Sequence, residues 1–230
     1  VLDRSYFDVP AHDPAEFDND PVRAYNVGPD ALLLNFNTLR LRYLPDGKGL
    51  KVVSEPPLDG MQLDNQLTPN GRTGNCNDWN DNLSVQPNGD SVVLQGDYPI
   101  DCGEREQNLN VMPHTRYFDS VFRAMWKNLG GTLQGSQREG SAGPAATLLS
   151  VHRSEPLANV IRDINKFSNN VMARQLFLTL GETLPLENEP GTESPTLSGR
   201  ETNRRMNIER SIFATRSWLA RNDLHFPELV

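Results

Sequence analysis

"DINKFSNNVMARQLFLTLG", from Asp163 to Gly181, reads as two helices interrupted by a polar hinge at Ser168, Asn169 and Asn170. Serine and asparagine accept hydrogen bonds from the amides left unpaired where a helix begins, so a cap would account for the hinge by itself. On its N-terminal side, "SEPLANVIRDINKF" predicts a helix with Ser154 as N-cap, Pro156 in the first turn, and Leu157, Val160, Ile161, Ile164 and Phe167 buried. On the other side, Val171, Met172, Leu176 and Leu180 form an apolar face that Gly181 ends. A strand-like "TLLSV", Thr147 to Val151, precedes the pair.

Outward from the hinge the chain changes character. "TRYFDSVFRAMWKNLGG" places Phe118, Val121, Phe122, Met125, Trp126 and Leu129 at helical spacing, which predicts a core stripe, with Gly130 as C-cap. A loop rich in Pro, Gly and Glu leads from Gly181 to a last helix with Ile208, Ile212 and Leu219 on one side; Arg200, Arg204, Arg205 and Arg210 are read as its solvated face. From Leu32 to about Ile100 the pattern is β. "LLLNFNTLRLRYL" alternates with one parity change near Thr38, which predicts a bulge; "PDGKG" turns it back into "LKVVS" as a hairpin; "DSVVLQG" adds a strand, and "TPNGRTGNCND" is loop. Residues 1–31 are acidic and proline-rich, with one short strand at the start. The reading is an α/β (α+β) chain: a small α/β part from 1–31 and 103–145, a β-rich insertion over 32–102, and a helical part over 146–230.

Composition removes several classes of function. A net charge of -8 with only four lysines argues against a phosphate-backbone partner, so no nucleic acid is expected. No apolar run approaches the roughly 20 residues that span a bilayer, so no membrane span is expected. His12, His114, His152 and His225 show no metal-ligand spacing, and neither metal nor other cofactor is expected. Cys76 and Cys102 sit in polar, turn-rich "GNCNDW" and "YPIDCGE", which favours a disulfide in an oxidising compartment over a pair of buried thiols. "VLDRSYF" has neither an initiator Met nor the features of a signal peptide, and the chain is read as a segment of a longer protein.

The words around the hinge are more specific than the hinge itself. Ser168-Asn169-Asn170 fits Ser-x-Asn, the second of three motifs, Ser-x-x-Lys, Ser-x-Asn and Lys-Thr-Gly, of penicillin-binding serine enzymes. "HRSEPLANVIRDINKFSNNVMARQLFLTLG" resembles the corresponding segment of the D-alanyl-D-alanine carboxypeptidase/endopeptidase family, the class C or penicillin-binding protein 4 type. "VLDRSYFD", "VGPDALLLNFN", "HTRYFDSVFRAMWKNLGGTLQG" and "IERSIFATRSWLARNDLHFPELV" are similar, in order, to other parts of that family. Two motifs are missing: no serine here has lysine three positions later, and no Lys-Thr-Gly occurs, Arg72-Thr73-Gly74 being a mimic that precedes Ser168 in a loop.

The resemblance implies acyl transfer in the complete enzyme. A serine attacks the carbonyl of a peptidoglycan stem peptide ending in D-Ala-D-Ala, a lysine takes its proton, and the acyl-enzyme hydrolyses; β-lactams acylate the same serine. Catalytic roles then fall to Ser168, protonating the leaving amine, and to Asn170, orienting the lysine and donating to the substrate amide; Asn169 is structural. In "EFDNDPVRAY", Asp20 best matches the family's acidic residue that meets the free amino end of a diaminopimelate side chain, with Tyr25 its aromatic neighbour. A solvated acidic loop, or a calcium loop from Asp13, Asp18 and Asp20, are the competing readings there. The resemblance also implies a periplasmic protein whose signal peptide is not in this chain. By itself the segment is expected to be inactive, and a non-catalytic peptidoglycan-binding or scaffold module is the alternative.

Overall fold

In the computed structural model, which describes residues 1–47, 49–71, 75–143, 145–183 and 206–226, strand β1 (Leu39–Pro45) folds back antiparallel onto β2 (Leu50–Glu55) with Pro45 opposite Leu50. Leu39, Leu41 and Tyr43 are fully buried while Arg40 and Arg42 take the other face, the period of two that a half-buried strand imposes. The strand predicted upstream of Thr38 is absent. Asn35–Asn37 is instead a 3-10 turn in which Asn35, Phe36 and Asn37 all have positive φ. The Asn37 amide donates to the Met112 carbonyl at 2.7 Å and to Asn110 Oδ1 at 2.9 Å, and the Asn35 amide to the carbonyl of Thr38 at 3.0 Å. The parity change is therefore a turn of left-handed residues, which asparagine tolerates, and not a bulge.

Three strands have no signal strong enough to read: β3 (Gln62–Asn70), β4 (Leu83–Asn88) and, after β5 (Ser91–Pro99), β6 (Arg105–Leu109). β6 pairs antiparallel with β1, giving the order β2-β1-β6, and β5 lies between β3 and β4, parallel to the first and antiparallel to the second. The two sheets share one core. Tyr43 stacks on Tyr98 with centroids 5.4 Å apart, Trp79 meets both edge-on, and Leu39, Leu41, Val92, Leu94, Tyr117 and Val121 fill in around them. Cys76 is disulfide-bonded to Cys102, a separation of 26 residues, which on the chain-entropy model contributes about 3.5 kcal/mol.

Helix α1 (His114–Asn128) forms where predicted and stops at Gly130, whose φ of 83° is the left-handed position that ends a helix and whose amide bonds the Lys127 carbonyl at 2.9 Å. Of the predicted stripe only Val121 is buried, Phe118 is half-buried, and the other four residues are exposed. Tyr117, Ser120, Val121 and Ala124 are buried, whereas Phe122, Met125, Trp126 and Leu129 are exposed, Leu129 at 83%. Two apolar rows compete on this helix; the one carrying Tyr117 meets the β core, and Phe122 and Trp126 stack on each other at the surface, 5.9 Å apart.

By contacts the chain forms two compact units: residues 13–27 with 32–137, which hold both sheets and α1, and residues 1–12, 28–31 and 138–230. The second of these contains α2 (Leu157–Phe167), α3 (Asn170–Thr179) and α4 (Ile208–Arg221). Its N-terminal stretch makes isolated bridges, Leu2 to Glu139 and Phe7 to Met206, instead of a strand, and Thr147–Val151 forms no strand either. The α2 N-cap is Pro156 without a side-chain bond, not Ser154, and no α2 residue is buried; Leu157, Ile161 and Phe167 are exposed. On α4 the buried residues are Ser211 and Ala214, and Ile208 and Ile212 are exposed. Small side chains let α4 lie close to the 3-10 turn Leu180–Thr183: a Cβ on Gly181 would stand 2.9 Å from Arg210 Cβ, and the Ser211 hydroxyl reaches the Leu178 carbonyl at 3.1 Å. Arg210 donates to the Gly181 carbonyl at 3.1 Å and so is not simply a solvated charge; Arg200, Arg204 and Arg205 lie outside the described residues.

Burial pushes the Tyr43 phenol up to about 12 from its ordinary 10.0, against a lowering contribution from the Gln107 amide that donates to its oxygen. The folded state favours the neutral phenol, so its contribution to stability is complete below about pH 10 and is lost as the pH rises through about 12. The urea midpoint should accordingly fall across that window. Tyr43→Phe should make the fall shallower, with Tyr98 and Tyr117, both also raised by burial, sustaining the remainder. An unchanged slope in Tyr43→Phe would show that this phenol does not carry the effect.

Candidate functional site

The hinge resolves into three residues with three different jobs. Ser168 closes α2 in the left-handed conformation, φ 50° and ψ 43°, and its amide and that of Asn169 both turn to the carbonyl of Ile164. Asn169 is the N-cap of α3: its backbone is extended and its Oδ1 accepts from the amide of Met172 at 2.9 Å. Asn170 is the first residue of α3. The side chains of Ser168 and Asn170 are exposed and make no hydrogen bond among the described residues, while Asn169 is half-buried by its capping bond.

A left-handed position at a helix end normally carries glycine or asparagine, because a Cβ there costs about 1 to 2 kcal/mol. Serine at this position is not what a stop signal requires. Strain of that kind persists where the surrounding structure over-determines it, and such positions cluster at functional sites.

α3 is anchored by burial of Val171 and Leu178 and by a polar clamp on its middle turn. Gln175 Nε2 donates to the Asp30 carbonyl at 2.7 Å and its Oε1 accepts from the Asp30 amide at 3.1 Å. The Asp30 carboxylate, only 4% exposed, pairs with Arg4, whose Nη1 also reaches Glu139 at 2.9 Å. These bonds, with that to Asp30 the largest, raise the Arg4 guanidinium further above its ordinary value. Nothing in the sequence pattern announces this network, because its members are 26 and 145 residues apart along the chain.

Asp20 and Tyr25 lie in the β-rich unit within one hydrogen-bonded loop, and its hub is Asp18. Tyr25 donates its hydroxyl to Asp18 Oδ2, Asn26 Nδ2 donates to Asp18 Oδ1 at 2.7 Å, and the Asp20 amide donates there too at 3.2 Å. These bonds, that of Tyr25 foremost, hold the Asp18 carboxyl below its usual range. Asp20 accepts from Arg23 Nε at 2.7 Å, and Arg23 also donates to the Tyr25 oxygen at 2.8 Å. Asp18, Asp20 and Arg23 together leave one net negative charge beside an exposed ring, that of Phe17, which meets Tyr25 edge-on at 6.4 Å. The sequence reading singled out Asp20 and Tyr25; Asp18, which orders both, entered only as a calcium ligand. Among the described residues no group of three or more His, Cys, Asp or Glu could hold a metal ion, and no helix is long and apolar enough to cross a membrane. Arg72-Thr73-Gly74 lies outside the described residues.

Comparison with known proteins identifies a family and a shared fold. The model of the D-Ala-D-Ala carboxypeptidase 3 (S13) family matches residues 1–223. Among solved structures, penicillin binding protein 4 from Haemophilus influenzae superposes with a TM-score of 0.65 at 17% identity, covering 97% of this chain and 46% of that one. The same relative in complex with a novel β-lactam gives 0.54 at 15% identity, covering 84% and 40%. The chain thus spans less than half the length of the relative whose fold it shares. No curated protein matches it.

The division of labour at the hinge has a measurable consequence in the 230-residue chain. Asn169→Ala should lower stability by about 1 kcal/mol, the usual cost of a lost N-cap. Asn170→Ala should stay within about 0.5 kcal/mol of the parent, as an exposed substitution does. Ser168→Gly, which relieves the left-handed Cβ, should match or exceed the parent. Urea midpoints for the three decide it, and a loss at Asn170 as large as that at Asn169 would contradict the assignment of the cap.

Proposed function

The chain belongs to the D-Ala-D-Ala carboxypeptidase 3 (S13) family, and from that membership we propose that it is the segment of a serine-type D-Ala-D-Ala carboxypeptidase/endopeptidase that carries the second active-site motif. The observation behind the proposal is the hinge. Asn169 satisfies the helix, which leaves the hydroxyl of Ser168 and the carboxamide of Asn170, on either side of it, without a partner among the described residues.

Those two groups suit the two needs of amide acyl transfer that a nucleophile alone does not meet. The leaving amine must receive a proton, and a hydroxyl can pass one because it is both donor and acceptor. The basic lysine must be held neutral-ready beside the nucleophile, and the substrate carbonyl must be oriented; a carboxamide accepts from the one and donates to the other. The nucleophilic serine and its lysine would come from elsewhere in the polypeptide, since no Ser-x-x-Lys occurs in these 230 residues, and the segment alone should not be acylated. The substrate we assign is a peptidoglycan stem peptide ending in D-Ala-D-Ala, with β-lactams as acylating mimics, in the periplasm; a β-lactam complex of the relative from Haemophilus influenzae supports the second ligand. In this reading 32–102 is an inserted accessory region, and 1–31 with 103–145 the part that joins it to the helical residues 146–230.

Asp20 and Tyr25 are assigned to the free amine of the stem-peptide side chain. Arg23 already engages the Asp20 carboxylate, so recognition would use the surplus charge that Asp18 and Asp20 leave over Arg23 and not an open carboxylate.

Two measurements on the complete enzyme test the assignment. Second-order acylation by a β-lactam should fall by orders of magnitude in Asn170→Ala and Ser168→Ala and change little in Asn169→Ala; equal rates in all three would reduce the hinge to a cap. For the second, Asp20→Asn should raise KM for a stem peptide with a free side-chain amine and leave KM unchanged once that amine is acetylated. An equal effect on both peptides would remove the amine from the role.

A further inference from the structure

In the β-rich unit, the end of β3, the turn through Trp79 to Asn82 and the end of β5 border an open cavity of about 280 Å³. Trp79, Asp78, Asp81, Asp97, Asn70 and Asn82 are among the residues that line it. The backbone around it is fixed from two directions. The disulfide ties Cys76 to Cys102, itself part of the wall. On β5, Gly96 has a φ of 110° and lets the Asn82 carbonyl approach to where any Cβ would stand 1.9 Å away, so only glycine permits this crossing. The Asp97 amide then bonds that carbonyl at 3.3 Å. Trp79 is held by edge-on contacts with Tyr43 and Tyr98, 5.1 and 5.8 Å between centroids.

The side chains of Asp78, Asp81, Asn82 and Asp97 are exposed, and Asn70 and Trp79 are half-buried. The indole N–H of Trp79 and the side chains of Asn70, Asn82, Asp81 and Asp97 make no hydrogen bond to any described residue, while Asp78 accepts one from Asn75 at 3.3 Å. We propose that this cavity is a saccharide-binding site for a neutral or amino sugar. A pyranose ring has a rim of hydroxyls and an apolar C–H face. Carboxylates accept from hydroxyls, carboxamides both accept and donate, and an indole offers an apolar surface with one donor at its edge. Among the described residues no basic side chain lines the cavity, and three carboxylates repel phosphate and carboxylate ligands. Its volume is just below the about 300 to 1,000 Å³ of most ligand sites, which suits one ring of an oligosaccharide. The inference stands on the cavity alone and is independent of the catalytic assignment.

The test is a titration of the ¹⁵N-labelled, disulfide-intact 230-residue chain with two probes, the tetrasaccharide of N-acetylglucosamine and cellotetraose. The Trp79 indole resonance, identified by its loss in Trp79→Phe, should shift saturably with at least one probe, and those of Trp126 and Trp218 should not. Asp81→Ala and Asp97→Ala, with the remaining spectrum unchanged to show an intact fold, should each weaken binding by about tenfold, the effect of one lost hydrogen bond to a charged acceptor. Absence of a saturable shift with both sugars, or a shift of full affinity in both variants, overturns the proposal. So does a response to calcium chloride without a response to sugar, which would make the cavity a cation site.

Discussion

The helical unit depends on a buried carboxylate. Asp30 is 4% exposed, on a stretch of four residues, 28–31, by which the chain visits this unit between two passages through the other. An ionised carboxylate in that position is tolerable only if its charge and its backbone groups are all answered. Arg4 supplies the charge, and Gln175 answers both backbone groups with the two ends of one amide, much as a neighbouring strand would. Gln175 is five residues beyond Asn170 on the same helix. The bonds that make Asp30 affordable therefore also fix the helix whose first turn presents the Ser-x-Asn triplet, and a long-range polar contact becomes a positional constraint on the site.

Local chemistry was legible in the sequence, and partner choice was not. The PDGKG turn, the glycine that ends α1, the helices on either side of Ser168–Asn170 and the Cys76–Cys102 pair are each decided within a few residues or by scarcity, since only two cysteines exist. Which apolar row of a helix is buried depends instead on what the fold puts beside it. On α1 the row through Phe122 and Leu129 is the more hydrophobic to read, yet Tyr117 and Val121 join the core of the sheets. On α4 the buried positions are the small Ser211 and Ala214, where the Ser211 hydroxyl reaches the Leu178 carbonyl, and Arg210 beside them packs close to Gly181. β3 shows the same limit for strands: its apolar residues are only Leu63 and Leu67, and its place beside β5 comes from a parallel pairing about 29 residues away that no local pattern encodes.

The candidate site divides along the same line. Ser-x-Asn is contiguous, so its residues could be named from the resemblance that the surrounding words carry. The Asp18 network is also short in sequence, but its logic is in the folding of the loop: Asp18 accepts from Tyr25, Asn26 and the amide of Asp20, and a row of acidic residues reads as solvated surface until those bonds exist. Arg23 is the instructive case. As a sequence letter it only reduces the net charge of an acidic stretch; in the fold it takes up the carboxylate that the family resemblance had singled out and leaves one charge shared over the cluster.

Capping and function at the hinge do not compete, because one residue takes the whole structural burden. A helix start needs a side-chain acceptor for an early amide, and Asn169 provides it to Met172. Had Ser168 been the cap, its hydroxyl would have been tied to a backbone amide and unable to give a proton elsewhere. Instead Ser168 closes the preceding helix with its backbone alone, in a left-handed conformation that needs no side chain and that glycine would adopt more easily. Its hydroxyl is thus retained where folding does not call for it. The same holds for Asn170, whose carboxamide begins α3 without bonding to it. Two polar side chains without a partner among the described residues, held by helix ends on either side of a bonded one, are the physical basis of the proposal that chemistry belongs to the outer two residues and structure to the middle one.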